Sequence, residues 1–85
     1  MTLRLRDGIS LADTDDGIAV LDEDSGEYYN LNPTGALVLR TLLDGGTAER
    51  AAQTLCAEYD VDLATATGDV TALVEEFRAV GLVRA

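Results

Sequence analysis

The side chains that most enzymes use for catalysis are largely missing from this sequence. It contains no histidine, no lysine and no tryptophan, and all six basic residues are arginines. Without histidine, the chain can form neither a Ser-His-Asp triad nor a Cys-His dyad, and the usual zinc and iron sites lose their commonest ligand. Without lysine, the chain can form neither a Schiff base nor the lysine contact of a phosphate-binding loop. The composition therefore argues against an enzyme and against a resident metal or cofactor.

The sixteen acidic residues and one cysteine are the remaining candidates for chemistry. Paired carboxylates can serve a glycosidase or hold a hard metal ion, but such enzymes normally need more than 85 residues to build a cleft. A solvated acidic surface is the simpler interpretation. Cys56 lies on the apolar stripe of a predicted helix, where a small core residue is the expected role. We therefore predict no catalytic residue.

The net charge of −10 limits the possible partners. Nucleic-acid binding needs a concentrated basic face, which no segment offers. An acidic surface favours basic partners instead, through an attraction that salt screens over about 8 Å at physiological ionic strength. The N-terminal segment lacks the apolar core of a signal peptide, and no apolar run approaches the ~18 residues that span a membrane. With a single cysteine as well, we expect a soluble cytoplasmic protein.

The first part of the chain has the pattern of strands and turns. Short apolar or alternating runs at 9–12, 18–21 and 27–31 are separated by acidic, glycine-containing segments at 13–17 and 22–26. Loops of about four to five residues between consecutive strands indicate an antiparallel meander.

The second part has the pattern of three helices. Asn32 as N-cap and Pro33 in the first turn predict a helix over 34–43, which is apolar on nearly every side and therefore buried. Thr47 is the predicted cap of a second helix, whose apolar stripe is Ala48, Ala51, Ala52, Leu55, Cys56 and Tyr59. A third helix is predicted over 65–80, ended by Gly81, with the stripe Ala66, Val70, Leu73, Val74, Phe77 and Val80.

The predicted fold is one α+β domain over residues 1–85, with a three-stranded antiparallel meander followed by three helices, as in a winged helix-turn-helix. The tail at 82–83 should fold back onto the core. The strand at 27–31 contains no lysine or proline that would protect a free edge. A free edge beside an apolar helix is suited to the addition of a peptide strand. The alternative is that the N-terminal segment covers the edge and the helical stripe is entirely core.

A winged-helix DNA-binding protein is the main competing interpretation of this topology. Its recognition helix would be the third helix, which offers Arg78 against Asp69, Glu75 and Glu76. Bases are read by Arg, Lys, Asn and Gln, and phosphates are bound by cations. The charge of this helix is therefore wrong for DNA.

Three segments carry a family resemblance: residues 26–36 (GEYYNLNPTGA), 42–45 (LLDG) and 81–83 (GLV). Their order and spacing resemble the PqqD-like family, the RiPP recognition elements that bind leader peptides of ribosomally made natural-product precursors. The resemblance covers about residues 9–83 and is greatest to the stand-alone proteins of lasso-peptide pathways. A member of the pyrroloquinoline-quinone pathway, which would act with a radical enzyme, is the alternative.

The resemblance implies a winged-helix-like fold in which the leader lies antiparallel on the third strand, in a cleft closed by the third helix. The leader would pair with the backbone of Glu27, Tyr28, Tyr29, Asn30 and Leu31. The facing wall would come from Asp69, Val70, Leu73, Val74 and Phe77. Asn32, Pro33 and Gly35 also match the family motif, but they are better explained as a helix cap, a first-turn residue and a close-packing position.

The resemblance also implies the partners. A separate cysteine-protease-like leader peptidase would receive the bound complex, and a cyclase would then close the ring. The leaders of such pathways are commonly described by a Tyr-x-x-Pro motif, so tyrosine, proline and leucine are the expected anchors. From the charge of the chain we expect a basic leader.

Overall fold

The computed structural model describes residues 3–84 and contains the predicted meander followed by three helices. In chain order the elements are β1 (Arg4–Leu5), β2 (Ile9–Thr14), β3 (Gly17–Asp22), β4 (Tyr28–Leu31), α1 (Pro33–Leu43), α2 (Ala48–Tyr59), α3 (Leu63–Ala79) and β5 (Val83–Arg84). Strands β2, β3 and β4 pair antiparallel in that order. The predicted fold class is confirmed.

The first hairpin is tighter than the sequence predicted. Strand β2 continues to Thr14, which pairs with Gly17, so that only Asp15 and Asp16 form the turn. The prediction of a longer loop over 13–17 was wrong. The side chains of Asp13 and Thr14 are exposed, and their polarity therefore does not oppose strand pairing.

Gly17, at the start of β3, lies close to the backbone at the end of β4. Its φ is +147°, and a Cβ there would overlap the backbone carbonyl oxygen of Leu31. We expect Gly17→Ala to lower the free energy of unfolding by about 1–3 kcal/mol, because the end of β4 would have to move. Gly68 is the matched control, because it is exposed in α3 and a Cβ there contacts nothing within 4 Å.

Urea unfolding of the two alanine variants checks this expectation. Gly68→Ala should be neutral or stabilising, by up to about 1 kcal/mol, since alanine restricts the unfolded chain and favours a helix. Equal stability of the two variants would contradict the close approach at Gly17.

A short ribbon joins the two ends of the described chain, and the sequence did not predict it. Strand β1 pairs antiparallel with β5, with Leu5 opposite Val83. Leu3, Leu82 and Val83 are all buried. The expected return of the tail onto the core is confirmed, and the N-terminal segment is its partner.

The helix caps follow the sequence closely. Asn32 accepts a hydrogen bond from the Gly35 N–H, and Thr47 accepts one from the Arg50 N–H. Helix α3, in contrast, begins at Leu63 and not at residue 65, because Asp62 caps it by accepting from the Thr65 N–H. At its other end Gly81 has φ +77°, which ends the helix as predicted.

The core lies between the sheet and the helices. It includes Ala36, Val38, Leu39 and Leu42 of α1, so the prediction of a central first helix is confirmed. From α2 it takes Ala51, Ala52 and Leu55, while Ala48 and Tyr59 at the ends of the predicted stripe are exposed. Within residues 3–84, no helix is long and apolar enough to cross a lipid bilayer.

Candidate peptide-binding groove

A groove of about 450 Å³ separates β4 from the C-terminal half of α3. On the strand side it is lined by Glu27, Tyr29, Asn30, Leu31 and Asn32. On the helix side it is lined by Leu73, Glu76, Phe77 and Val80. Ile9, Asp22 and Gly35 complete the lining. The groove thus has one wall made of backbone edge and one made of mainly apolar side chains.

The outer edge of β4 is open. In the sheet order β2-β3-β4 the strand has a neighbour on one side, and within residues 3–84 no strand pairs with its other side. The N-terminal segment, which could have covered this edge, pairs with β5 instead. An added peptide strand therefore has access to β4.

The hydrogen-bond register determines which β4 residues face outward. The Asp22 N–H donates to the Glu27 carbonyl oxygen at 2.8 Å, which makes these two residues a hydrogen-bonded pair. Such pairs alternate along an antiparallel ladder, so Tyr29 and Leu31 also bond inward to β3. The backbone N–H and C=O groups of Tyr28 and Asn30 therefore point away from the sheet.

The pairing of β2 with β3 supports this register independently. The Glu23 N–H donates to the Gly8 carbonyl oxygen at 2.8 Å, and Thr14 pairs with Gly17 across the two-residue turn. Both are hydrogen-bonded pairs, and such pairs recur at every second residue of an antiparallel ladder. The odd-numbered residues of β3 therefore bond to β2. The even-numbered residues of β3 are then those that bond to β4.

Most of the strand residues predicted for the site line the groove. Glu27, Tyr29, Asn30 and Leu31 do so. Tyr28 does not, because its side chain projects to the opposite face of the sheet, where it is 63% exposed and its hydroxyl donates to Asn30 Oδ1, so Asn30 borders the groove through its backbone. The contribution of Tyr28 on the groove side is limited to its outward backbone groups.

The helix residues predicted for the site divide into two sets. Leu73 and Phe77 line the groove. Val70 and Val74 are only 1% and 6% exposed and belong to the core, and Asp69 is exposed outside the groove. These three predicted wall residues therefore lie outside the groove lining, and their contact with a leader stays a prediction.

Two helix residues of the groove were not on the predicted list. Val80 was recognised as part of the apolar stripe but not assigned to the groove, and Glu76 was regarded as surface charge. Leu73, Phe77 and Val80 follow the spacing i, i+4, i+7, whereas Ala66, Val70 and Val74 follow i, i+4, i+8 and face the core. Phe77 is itself buried and lies between the two sets, so on the groove side only Leu73 and Val80 keep substantial exposed surface.

The charged residues of the lining are all acidic. Burial and the nearby carboxylates of Asp22, Glu27 and Glu76 raise the pKa of Tyr29, although the Arg6 guanidinium opposes them. Burial also acts to raise the pKa of Asp22, but hydrogen bonds from the Ser25 and Asp24 backbone N–H groups and from Arg6 outweigh it, and the pKa is lowered. Asp22 is thus ionised and paired, and Glu27 and Glu76 leave the groove negative.

The sequence profile described as coenzyme PQQ synthesis protein D (PqqD) matches residues 17–83. The chain belongs to the PqqD family. This confirms the resemblance drawn from the GEYYNLNPTGA, LLDG and GLV segments. No curated protein sequence matches the chain.

Two solved structures are similar to this PqqD-family chain over its whole length. One is described as lasso peptide synthetase B1 complexed with the leader peptide; it is 42% identical, the match covers all of both chains, and the TM-score is 0.93. The other is TbiB1 in complex with the TbiA(beta) leader peptide, 26% identical over 100% of this chain and 96% of that one, with a TM-score of 0.86. Both relatives hold leader peptides.

Proposed function

We propose that this protein is a non-catalytic adaptor that binds the leader of a ribosomally made precursor by adding it as a strand to β4. The observation that carries the proposal is the open β4 edge facing the Leu73, Phe77 and Val80 wall. Two relatives with the same fold were solved as complexes with leader peptides. Residues 1–85 would act as one recognition domain, without cofactor or metal.

The backbone of the leader would bond to Tyr28 and Asn30, the β4 residues whose polar groups face outward. Ordering an extended peptide costs roughly 1–2 kcal/mol per residue, and each strand hydrogen bond contributes a net of about 0.5–1.5 kcal/mol. Backbone pairing therefore supplies little net affinity. An apolar side chain that loses on the order of 100 Å² of exposed surface contributes about 2.5 kcal/mol, so two or three anchors in the groove are required.

The anchors would occupy alternate positions of the leader. Peptide residues opposite Tyr29 and Leu31 project to the same side of the sheet as those two side chains, toward α3. There they meet the apolar side chains of Leu73, Phe77 and Val80. Tyrosine, proline and leucine are suitable anchors, and proline is tolerated where its nitrogen faces away from β4.

The bound leader would then be presented to a separate leader peptidase, with a cyclase acting afterwards, in a lasso-peptide pathway of the cytoplasm. The 42% identity to a lasso peptide synthetase B1 favours this pathway over a PqqD-type role beside a radical enzyme. The negative groove favours a leader that carries lysine or arginine, and neither nucleic acid nor membrane is an expected partner.

A proline substitution in β4 tests the mode of binding. Asn30→Pro removes an outward N–H without breaking the ladder to β3, so the variant should fold yet bind leader about 1–3 kcal/mol more weakly, roughly 5- to 150-fold. Asn30→Ala keeps the N–H and is the matched control. Tyr29→Pro removes an inward N–H and should destabilise the fold instead.

Fluorescence anisotropy should use two labelled leaders, that of the 42%-identical relative and that of the protein's own precursor, which we expect a short open reading frame near its gene to encode. Circular dichroism and urea unfolding report on the fold. If Asn30→Pro and Asn30→Ala bind equally well, leader pairing with β4 is contradicted. Failure of the parent protein to bind either leader contradicts the adaptor function itself.

A further inference from the structure

The two walls of the groove have little direct packing against each other. Helix α3 packs mainly on α2, and β4 packs mainly on β3. Helix α1 contacts both walls, so their separation depends on the shared core and on any side chain that bridges the walls directly. Such a bridge lies at the end of the groove where Val80 and Glu27 are found.

Arg6 forms this bridge. Its Nε donates to the Gly81 carbonyl oxygen at 2.6 Å, directly after the helix wall ends at Val80. Its Nη2 donates to Asp22 Oδ2 at 2.5 Å, and Asp22 in turn bonds through its backbone to Glu27. One guanidinium thus connects the end of α3 to the β3–β4 corner.

The backbone around Arg6 holds the guanidinium in place. The Arg6 N–H donates to the Leu82 carbonyl oxygen at 3.0 Å, which extends the β1–β5 ribbon by one residue. The side chain is 34% exposed, and its Nη1 also lies 3.5 Å from Asp24 Oδ2. A planar guanidinium with fixed donors keeps two acceptors at a set separation, which a flexible lysine cannot do equally well.

We propose that Arg6 is a positioning residue that sets the width of the groove between α3 and β4. This inference rests on the proposed function, since it names the residue that holds that same groove at a width suited to a peptide. Arg6 is not among the residues that line the groove, so it acts through Asp22 and Gly81. A groove whose width is already fixed favours binding, because less conformational entropy is lost when the peptide binds.

A purely electrostatic role predicts a different pattern of mutant effects. For a basic peptide, loss of Arg6 adds a net negative charge at the groove and should strengthen binding, whereas loss of the Asp22 charge should weaken it. A positioning role predicts that Arg6→Gln and Asp22→Asn both weaken binding. It also predicts that the double variant is no worse than either single variant, because both break the same bridge.

The experiment measures binding of the two labelled leaders to these three variants and to Arg40→Gln. Arg40 forms an ion pair of the same length, 2.5 Å, with Asp13, away from the groove. We expect Arg6→Gln and Asp22→Asn each to weaken binding roughly tenfold and Arg40→Gln to match the parent. Arg6→Lys should recover part of the loss. Parent-like affinity of Arg6→Gln, or opposite effects of Arg6→Gln and Asp22→Asn, would overturn the inference.

A second readout needs no peptide and therefore separates this inference from the proposed function. Nitroxide labels at Glu27→Cys and Val80→Cys, in a Cys56→Ser background, report the separation of the walls through dipolar broadening. Arg6→Gln should broaden or lengthen the distance distribution, and Arg40→Gln should leave it unchanged. An unchanged distribution in Arg6→Gln would show that Arg6 does not set the groove width, whether or not a leader binds.

Discussion

Leu73→Asp is expected to abolish most leader binding while leaving the protein folded. Leu73 is half-buried on the helix wall of the groove, so the change removes an apolar contact and places a carboxylate against the peptide. Loss of about 100 Å² of apolar contact corresponds to about 2.5 kcal/mol, or roughly 60-fold in affinity. Desolvation of the new carboxylate adds to this loss.

The neighbouring residue Phe77 should behave differently. It is only 2% exposed and belongs to the core as well as to the groove, so Phe77→Asp should unfold the protein. Leu63→Asp is the matched control, because Leu63 lies on the same helix, is 55% exposed and does not line the groove. Binding isotherms, with circular dichroism to confirm folding, check all three variants. If Leu73→Asp is folded and binds leader as tightly as Leu63→Asp does, the groove is not the leader-binding site.

The parts of the fold that were predictable are those determined by local sequence. Asn32 and Thr47 cap their helices with their own side chains, and Gly81 supplies a positive φ, so each boundary depends on a few adjacent residues. The β1–β5 ribbon depends instead on pairing between the two ends of the described chain. Two-residue strands have no periodicity to recognise, and their partner is set by the tertiary fold.

The lining of the groove was predictable on the strand and less so on the helix. β4 follows a glycine-containing loop and carries no edge-protecting residue, and both features are visible in the sequence. On α3, periodicity marks one broad apolar stripe, but only the packing of neighbouring elements decides that Val70 and Val74 are covered and Val80 is not. Whether the backbone groups of Tyr28 and Asn30 face outward depends on the pairing register of β3 with β4. A loop of different length between these strands would shift that register by one or more residues.

The purified protein alone should leave precursor peptide intact, and it should accelerate leader removal when a separate leader peptidase is added. The reason for expecting no cleavage is that the sequence has no histidine and no lysine to activate a nucleophile. Cys56 is half-buried on α2 and does not line the groove, so Cys56→Ser should accelerate cleavage as the parent does. Mass spectrometry of the precursor follows both reactions.

The concentration dependence of this acceleration separates recognition from presentation. At a concentration near the parent Kd, Leu73→Asp should accelerate cleavage far less than Leu63→Asp, because little of the leader is bound. At concentrations above its weakened Kd, Leu73→Asp should regain the parent rate, since the groove variant leaves every other surface of the adaptor unchanged. Cleavage by the protein without peptidase, or a peptidase rate that does not respond to the parent protein, would contradict the adaptor role.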